Sequence, residues 1–156
     1  MARSPDSISR LRIFALAFVV LAVTVLPAAA EDAPFLTFRD FFRLPIGPRG
    51  LEPTERLLSL RDQHVRVQGY MVKEDEPQPG MFMLTPAPVA LGELADGPAD
   101  YLPAATLFVH VRGENNAIPY RPGLWTVSGI LRLGAWPEAN GHVSYVRLIV
   151  DGLPKE

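Results

Sequence analysis

The chain has 156 residues, 15 basic against 17 acidic side chains for a formal charge of −2, 16 prolines, 12 glycines and no cysteine. That length holds one domain, and the missing cysteine excludes disulfides, thiolate nucleophiles, cysteine-ligated metals and a lipid-modified cysteine. A mildly acidic balance excludes non-specific nucleic-acid binding, which requires a basic surface to neutralise phosphates.

In chain order, the first element is an export signal. Arg3, Arg10 and Arg12 form a positive stretch, Ile13 to Leu26 is a nearly unbroken apolar run, and Pro27 stops it. Ala28-Ala29-Ala30 then supplies the small residues that a signal peptidase requires, ahead of Glu31-Asp32. A retained anchor is the alternative, but the run is short for a bilayer that needs about 20 apolar residues. The expectation is cleavage near Ala30 and a periplasmic or secreted product, with no stable membrane anchor after cleavage. Without the leader's three arginines and one aspartate, 12 basic and 16 acidic residues remain, a net of −4.

Residues 31–60 read as an N-terminal segment with short helices. Phe38, Phe41 and Phe42 share one helical face. With Phe35 they form either a cap on the chain's own domain or a docking patch for an envelope complex, and the cap is the commoner outcome. Thr54 is a candidate N-cap for a second helix carrying Leu57, Leu58 and Leu60.

Residues 61–156 read as an all-β domain. Strands are predicted at 65–72, 81–85, 107–112, 125–133 and 143–150, from β-branched and aromatic residues between turn signals. Two of them repeat one pattern, Val65-x-Val67-x-Gly69 and Trp125-x-Val127-x-Gly129. A glycine within a strand marks a bulge or sharp bend, and a five-stranded sheet closes only through sharp coiling. The expected architecture is therefore mainly β, a small five-stranded OB-like Greek-key barrel in which the first and fourth strands adjoin. A β-sandwich is the alternative. Two departures from the usual barrel stand out. Gly113 to Gly123 reads as a loop where a helix is customary, and a long connection, 86–106, separates the second and third strands.

The stretch Leu57 to Val72, a leucine-rich turn leading through Asp62-Gln63-His64 into V-x-V-x-G-Y-M-V, resembles exported bacterial OB-like proteins of unknown function. The likeness runs over about residues 44–150. It implies an exported OB-like domain and transfers no activity. Members of that family carry a cysteine and a proline-rich motif in mid-chain; here Leu102-Pro103 stands before the third strand without a cysteine.

Chemistry is sparse. Ser59, Ser128 and Ser144 lie in no nucleophile-elbow motif, and the two in strands read as sheet-surface residues. His64, His110 and His142 match no zinc spacing. Glu74-Asp75-Glu76 and Glu93, Asp96 and Asp100 read as solvated turns, since neither run has the alternating ligands of a calcium loop. No cofactor, metal site or catalytic set is implied. The candidate ligand-binding residues are the outward side chains Arg66, Gln68, His110 and Arg112, with the rings of Tyr70 and Phe82, and Arg132 is also placed outward. Arginines beside rings suit a small anionic or peptide ligand. The expected function is an exported non-enzymatic binding or accessory module of the cell envelope, its partner an envelope protein or such a ligand. The alternative is a periplasmic enzyme pairing His110 with Asp96 or Asp100 of the 86–106 loop.

Overall fold

The computed structural model describes residues 33–91 and 102–153. The leader, and with it the export reading, lies outside those residues, as do Glu93, Asp96 and Asp100.

The domain is mainly β. The elements are β1 (Phe35–Leu36), one 3-10 turn (Phe38–Asp40), α1 (Glu55–Ser59), β2 (His64–Met71), β3 (Lys73–Glu74), β4 (Met81–Thr85), β5 (Ala90–Leu91), β6 (Leu107–Val111), β7 (Leu124–Pro137) and β8 (Val143–Val150). All five predicted strands are present. The fourth is longer than its pattern, because β7 runs on through a bulge between Leu133 and Trp136.

The large sheet runs β1-β2-β4-β6-β8-β7, and β7 returns to pair with β2. Leaving β1 aside, the five long strands form a ring in the order first, second, third, fifth, fourth, with β6 and β8 parallel and the other pairs antiparallel. That is OB-barrel connectivity, and a ring with first and fourth strands paired is not a sandwich of two layers. The seam is weakest between β2 and β4, where the paired residues are Tyr70 with Thr85 and Met71 with Leu84. There β1 fills in, running parallel to β2 beside Arg66 and Val67.

The two strand glycines act at different corners rather than as cross-strand partners, since Gly69 faces Trp125 and Gly129 faces Val65. β7 pairs with β2 up to Ile130 and with β8 from Ile130 onward, so Gly129 sits where the strand changes neighbour. A β-carbon there would overlap the carbonyl oxygen of Ile149 and lie 2.8 Å from Val150 Cγ1. At Gly69 a β-carbon would lie 2.7 Å from the Phe38 ring. One glycine thus admits a neighbouring strand and the other admits a plug.

That plug is the N-terminal segment. Leu36, Phe38, Phe41, Leu57 and Leu60 are buried in the same core as Val65, Val67, Phe82, Val109, Val127, Leu131 and Leu148. The aromatic run is therefore mostly a cap on its own domain: Phe41 is fully buried, Phe42 packs against the core, and Phe35 alone of the four is exposed. The capping helix customary between the third and fourth strands is replaced by this segment. The predicted first helix is only a 3-10 turn. The second forms as expected, Thr54 accepting a hydrogen bond from the Leu57 amide at 3.0 Å. Of the residues expected inward on β7, Val127 and Leu131 are buried, while Trp125 and Leu133 pack at the rim.

Gly129→Ala pushes a methyl group into backbone that cannot yield, and should cost about 1–3 kcal/mol. Gly152→Ala, in open space, should stay within about 0.5 kcal/mol of wild type. Urea unfolding of the three proteins side by side measures both.

Candidate functional site

OB barrels commonly bind across the outer face of their second and third strands. Here that face is β4 and β6, and the chain covers it with its own side chains. Met81, Met83 and Phe108 are buried with Val72 in a second apolar cluster, packed beneath Val89, Leu91 and Leu102 from the long connection. A small parallel pair, β3 with β5, fastens that connection down, helped by the Lys73 amide donating to the Val89 carbonyl at 3.0 Å.

The predicted ligand residues consequently do not form one surface. Arg66, Gln68 and Tyr70 share the outer row of β2. The Arg66 guanidinium donates through Nε to the Ala33 carbonyl at 3.1 Å, and Gln68 Nε2 donates to Thr126 Oγ1 at 3.2 Å. Phe82 corrects the sequence expectation: it faces inward, 1 % exposed, with its ring set edge-on to Trp125 at 6.4 Å. Its strand follows the alternation Phe82 and Leu84 inward, Met81 and Met83 outward, which four consecutive apolar residues could not reveal. Arg112 lies at the end of β6 in an exposed pair with Asp151 at 2.9 Å. Arg132 pairs with Asp62. Arg66 is thus tied to backbone, and Arg112 and Arg132 each meet a carboxylate of the protein itself.

His110 lies on β6 opposite Met81 of β4 and Ile149 of β8. The carboxylate that meets it is Glu138, in the turn after β7, 3.4 Å from Nε2. The same Glu138 oxygen accepts from Arg147 Nε at 2.8 Å and pairs with Arg147 Nη2 at 2.7 Å. Arg147 Nε also donates to Ser144 Oγ at 2.7 Å, and its guanidinium stacks 4.5 Å from the Trp136 ring centroid. The Glu138 side chain is 5 % exposed and that of Arg147 19 %. Ser144 is fully buried, not a sheet-surface residue as its strand alternation suggests. A buried carboxylate that lost this partner would stand uncompensated in a poorly hydrated setting, so the pair fixes the extended tip of the β7–β8 hairpin against the barrel.

Beside this cluster lies a surface depression of about 330 Å³, lined among others by Leu51, Leu102, Phe108, His142, Val143 and Tyr145. It opens where the chain entering β6 diverges from the start of β8. Val143 and Tyr145 are exposed although both are large and apolar. The hairpin turn supplies one wall through Gly141 and His142, and the Glu138 amide closes that turn by donating to the His142 carbonyl at 2.8 Å. His142 is half-buried there, where the sequence suggested a solvated turn.

The acidic turn after β2 is likewise only partly solvated. Burial raises the Glu74 carboxyl above the ordinary carboxylate range, and the neighbouring Asn140 amide offsets only part of that. No group of three or more metal-ligating side chains occurs among the described residues.

Glu138, Arg147, Trp136 and the depression were not visible in the sequence pattern. The only local sign is that Glu138 lies in the connection between the last two predicted strands and Arg147 within the second of them. No known protein family, curated protein or solved structure matches the chain.

Two outcomes follow from this geometry. Arg147→Ala should lower stability by roughly 2–4 kcal/mol, because it strands the Glu138 carboxylate, and thermal unfolding reads the loss. Glu74 has its folded pKa raised, so its favourable share of stability is complete below about pH 4.5 and disappears as pH rises through the raised value. Glu74→Gln should therefore raise the melting temperature at pH 7 and leave it nearly unchanged at pH 4.

Proposed function

We propose that this chain is an exported, non-enzymatic binding or accessory module of the cell envelope, and that it holds an apolar or aromatic stretch of a peptide partner in the depression beside the β7–β8 hairpin. The observation that carries the reading is the pairing of exposed Val143 and Tyr145 with Leu51, Leu102 and Phe108 around one concavity. Binding sites are concave and mostly apolar, with a few polar groups to orient the ligand, and His142 supplies such a group here. A tyrosine at the mouth adds a large rigid contact area with one polar end. The leader pattern and the resemblance to exported OB-like proteins support placement beyond the cytoplasmic membrane.

A second reading rests on the His110–Glu138 contact; Asp96 and Asp100, the partners expected from the sequence, lie outside the described residues. In it His110 acts as a general base oriented by Glu138. The contact is long at 3.4 Å, and the oxygen involved is already engaged twice by Arg147. Ser144 Oγ, the hydroxyl in the same cluster, accepts from Arg147 and borders the Trp136 carbonyl. The described residues give it no histidine contact that would draw off its proton. This arrangement favours a structural clamp over a nucleophile and base.

Affinity purification from envelope extracts of the native host tests the reading. The wild-type protein should retain a partner that Tyr145→Ala and Val143→Asp lose at least tenfold, with folding checked by circular dichroism. Retention by both variants together with loss in Arg112→Ala would move the site to the arginine-bearing surface. Fractionation of the same cells should find the protein in the periplasm or medium, starting near Glu31.

A further inference from the structure

We propose that the hairpin spanning residues 42–53 is a lipid-surface contact, its apolar tip entering the interface of an anionic membrane. This goes beyond the peptide site and does not depend on it.

The stem is well defined. Phe42 bridges Pro53, the Arg43 amide donates to the Glu52 carbonyl at 2.8 Å, and the Gly50 amide donates to the Gly47 carbonyl at 3.0 Å. At its base Phe41 is fully buried and accepts a hydrogen bond from the Thr54 amide at 3.1 Å. The hairpin is thus rooted in the core. Its outer part is not covered by the domain: residues 43–50 are exposed without interruption.

The tip carries the two most exposed large apolar side chains among the described residues, Leu44 at 79 % and Ile46 at 57 %. Pro45 and Pro48 limit the backbone beside them, so the apolar groups are held outward in advance. Such side chains gain free energy by leaving water, at about 25 cal/mol per Å² of apolar area.

Charge selects what they leave water for. Arg43 and Arg49 flank the tip, and residues 43–51 contain no carboxylate. Both guanidiniums form ion pairs, Arg43 with Glu55 and Arg49 with Glu52, at 2.8 Å, but the arginine side chains are 54 % and 83 % exposed. Exposed pairs contribute little, so the cations are free to exchange carboxylates for phosphates. The two arginines nearest the exposed aliphatic side chains have no carboxylate between them in the chain. Aliphatic side chains flanked by arginines whose stems lie along the apolar boundary make an interfacial contact rather than a spanning one.

Because the protein has no cysteine, a single dye can be placed at will, and the full chain can be used whether or not its leader is removed. Ile46→Cys labelled with an environment-sensitive fluorophore should shift to the blue on vesicles of phosphatidylglycerol and phosphatidylethanolamine. The same dye on Gln68→Cys, on the exposed outer row of β2, should not shift. Arg43→Gln with Arg49→Gln should weaken the response about ten- to thirty-fold at low salt, and Leu44→Glu should abolish it while leaving the unfolding midpoint unchanged. A dye at position 46 that stays in water while the protein sediments with vesicles would overturn the proposal. So would an equal response to neutral phosphatidylcholine, or a shift produced by envelope proteins and not by lipid.

Discussion

Seven consecutive residue pairs join β2 to β7, from His64 with Ile130 to Tyr70 with Leu124, and the rest of the molecule depends on that ladder. Without it the sheet would expose two long edges and a flat apolar face. With it the five strands curl into a ring whose interior must be filled from one end. Closure asks each of these two strands to serve two neighbours in turn, and backbone can pass so close to backbone only where no β-carbon intervenes. Gly129 provides that passage on β7. Gly69 provides a comparable opening on β2, which the Phe38 ring occupies, so the position of the N-terminal plug follows from the geometry of closure.

The outside of the ring is then shared among three uses. Over β4 and β6 the long connection lays down Val89, Leu91 and Leu102 and converts the usual ligand face into a second core. Along β2 and the chain ends, arginines bind backbone or carboxylates of the same molecule. At the far end of β7 and β8 the hairpin overhangs the barrel, and the Glu138–Arg147 pair holds that overhang in one place. The apolar concavity exists because the overhang is fixed while the chain leading into β6 diverges from it. A polar cluster of low exposure here specifies shape more than it adds stability.

The hairpin at residues 42–53 links the two proposed surfaces. Leu51, near the end of its stem, lines the depression, whereas Leu44 and Ile46 stand at its tip. A domain resting on lipid through that tip would present the depression at a set height above the bilayer. Such an arrangement suits an accessory module that meets segments of other envelope proteins close to where they leave the membrane.

The sequence by itself determined the strands, the Thr54 cap and the ring closure, because alternation, capping chemistry and in-strand glycines are local properties with few structural solutions. It also separated Val127 and Leu131 from the outer row of β7. It placed Arg66, Gln68, His110 and Arg112 away from the core, yet could not say what each would meet. Only the tertiary structure decided that Phe82 faces inward, since a strand buried on both faces carries no alternation to read. Likewise, it alone brought Glu138 to His110 and Arg147, laid Leu102 over Phe108, and left Leu44 and Ile46 uncovered. Those outcomes depend on where segments distant in sequence come to rest, and pairing between distant segments is set by the closure of the whole ring rather than by any short run of residues.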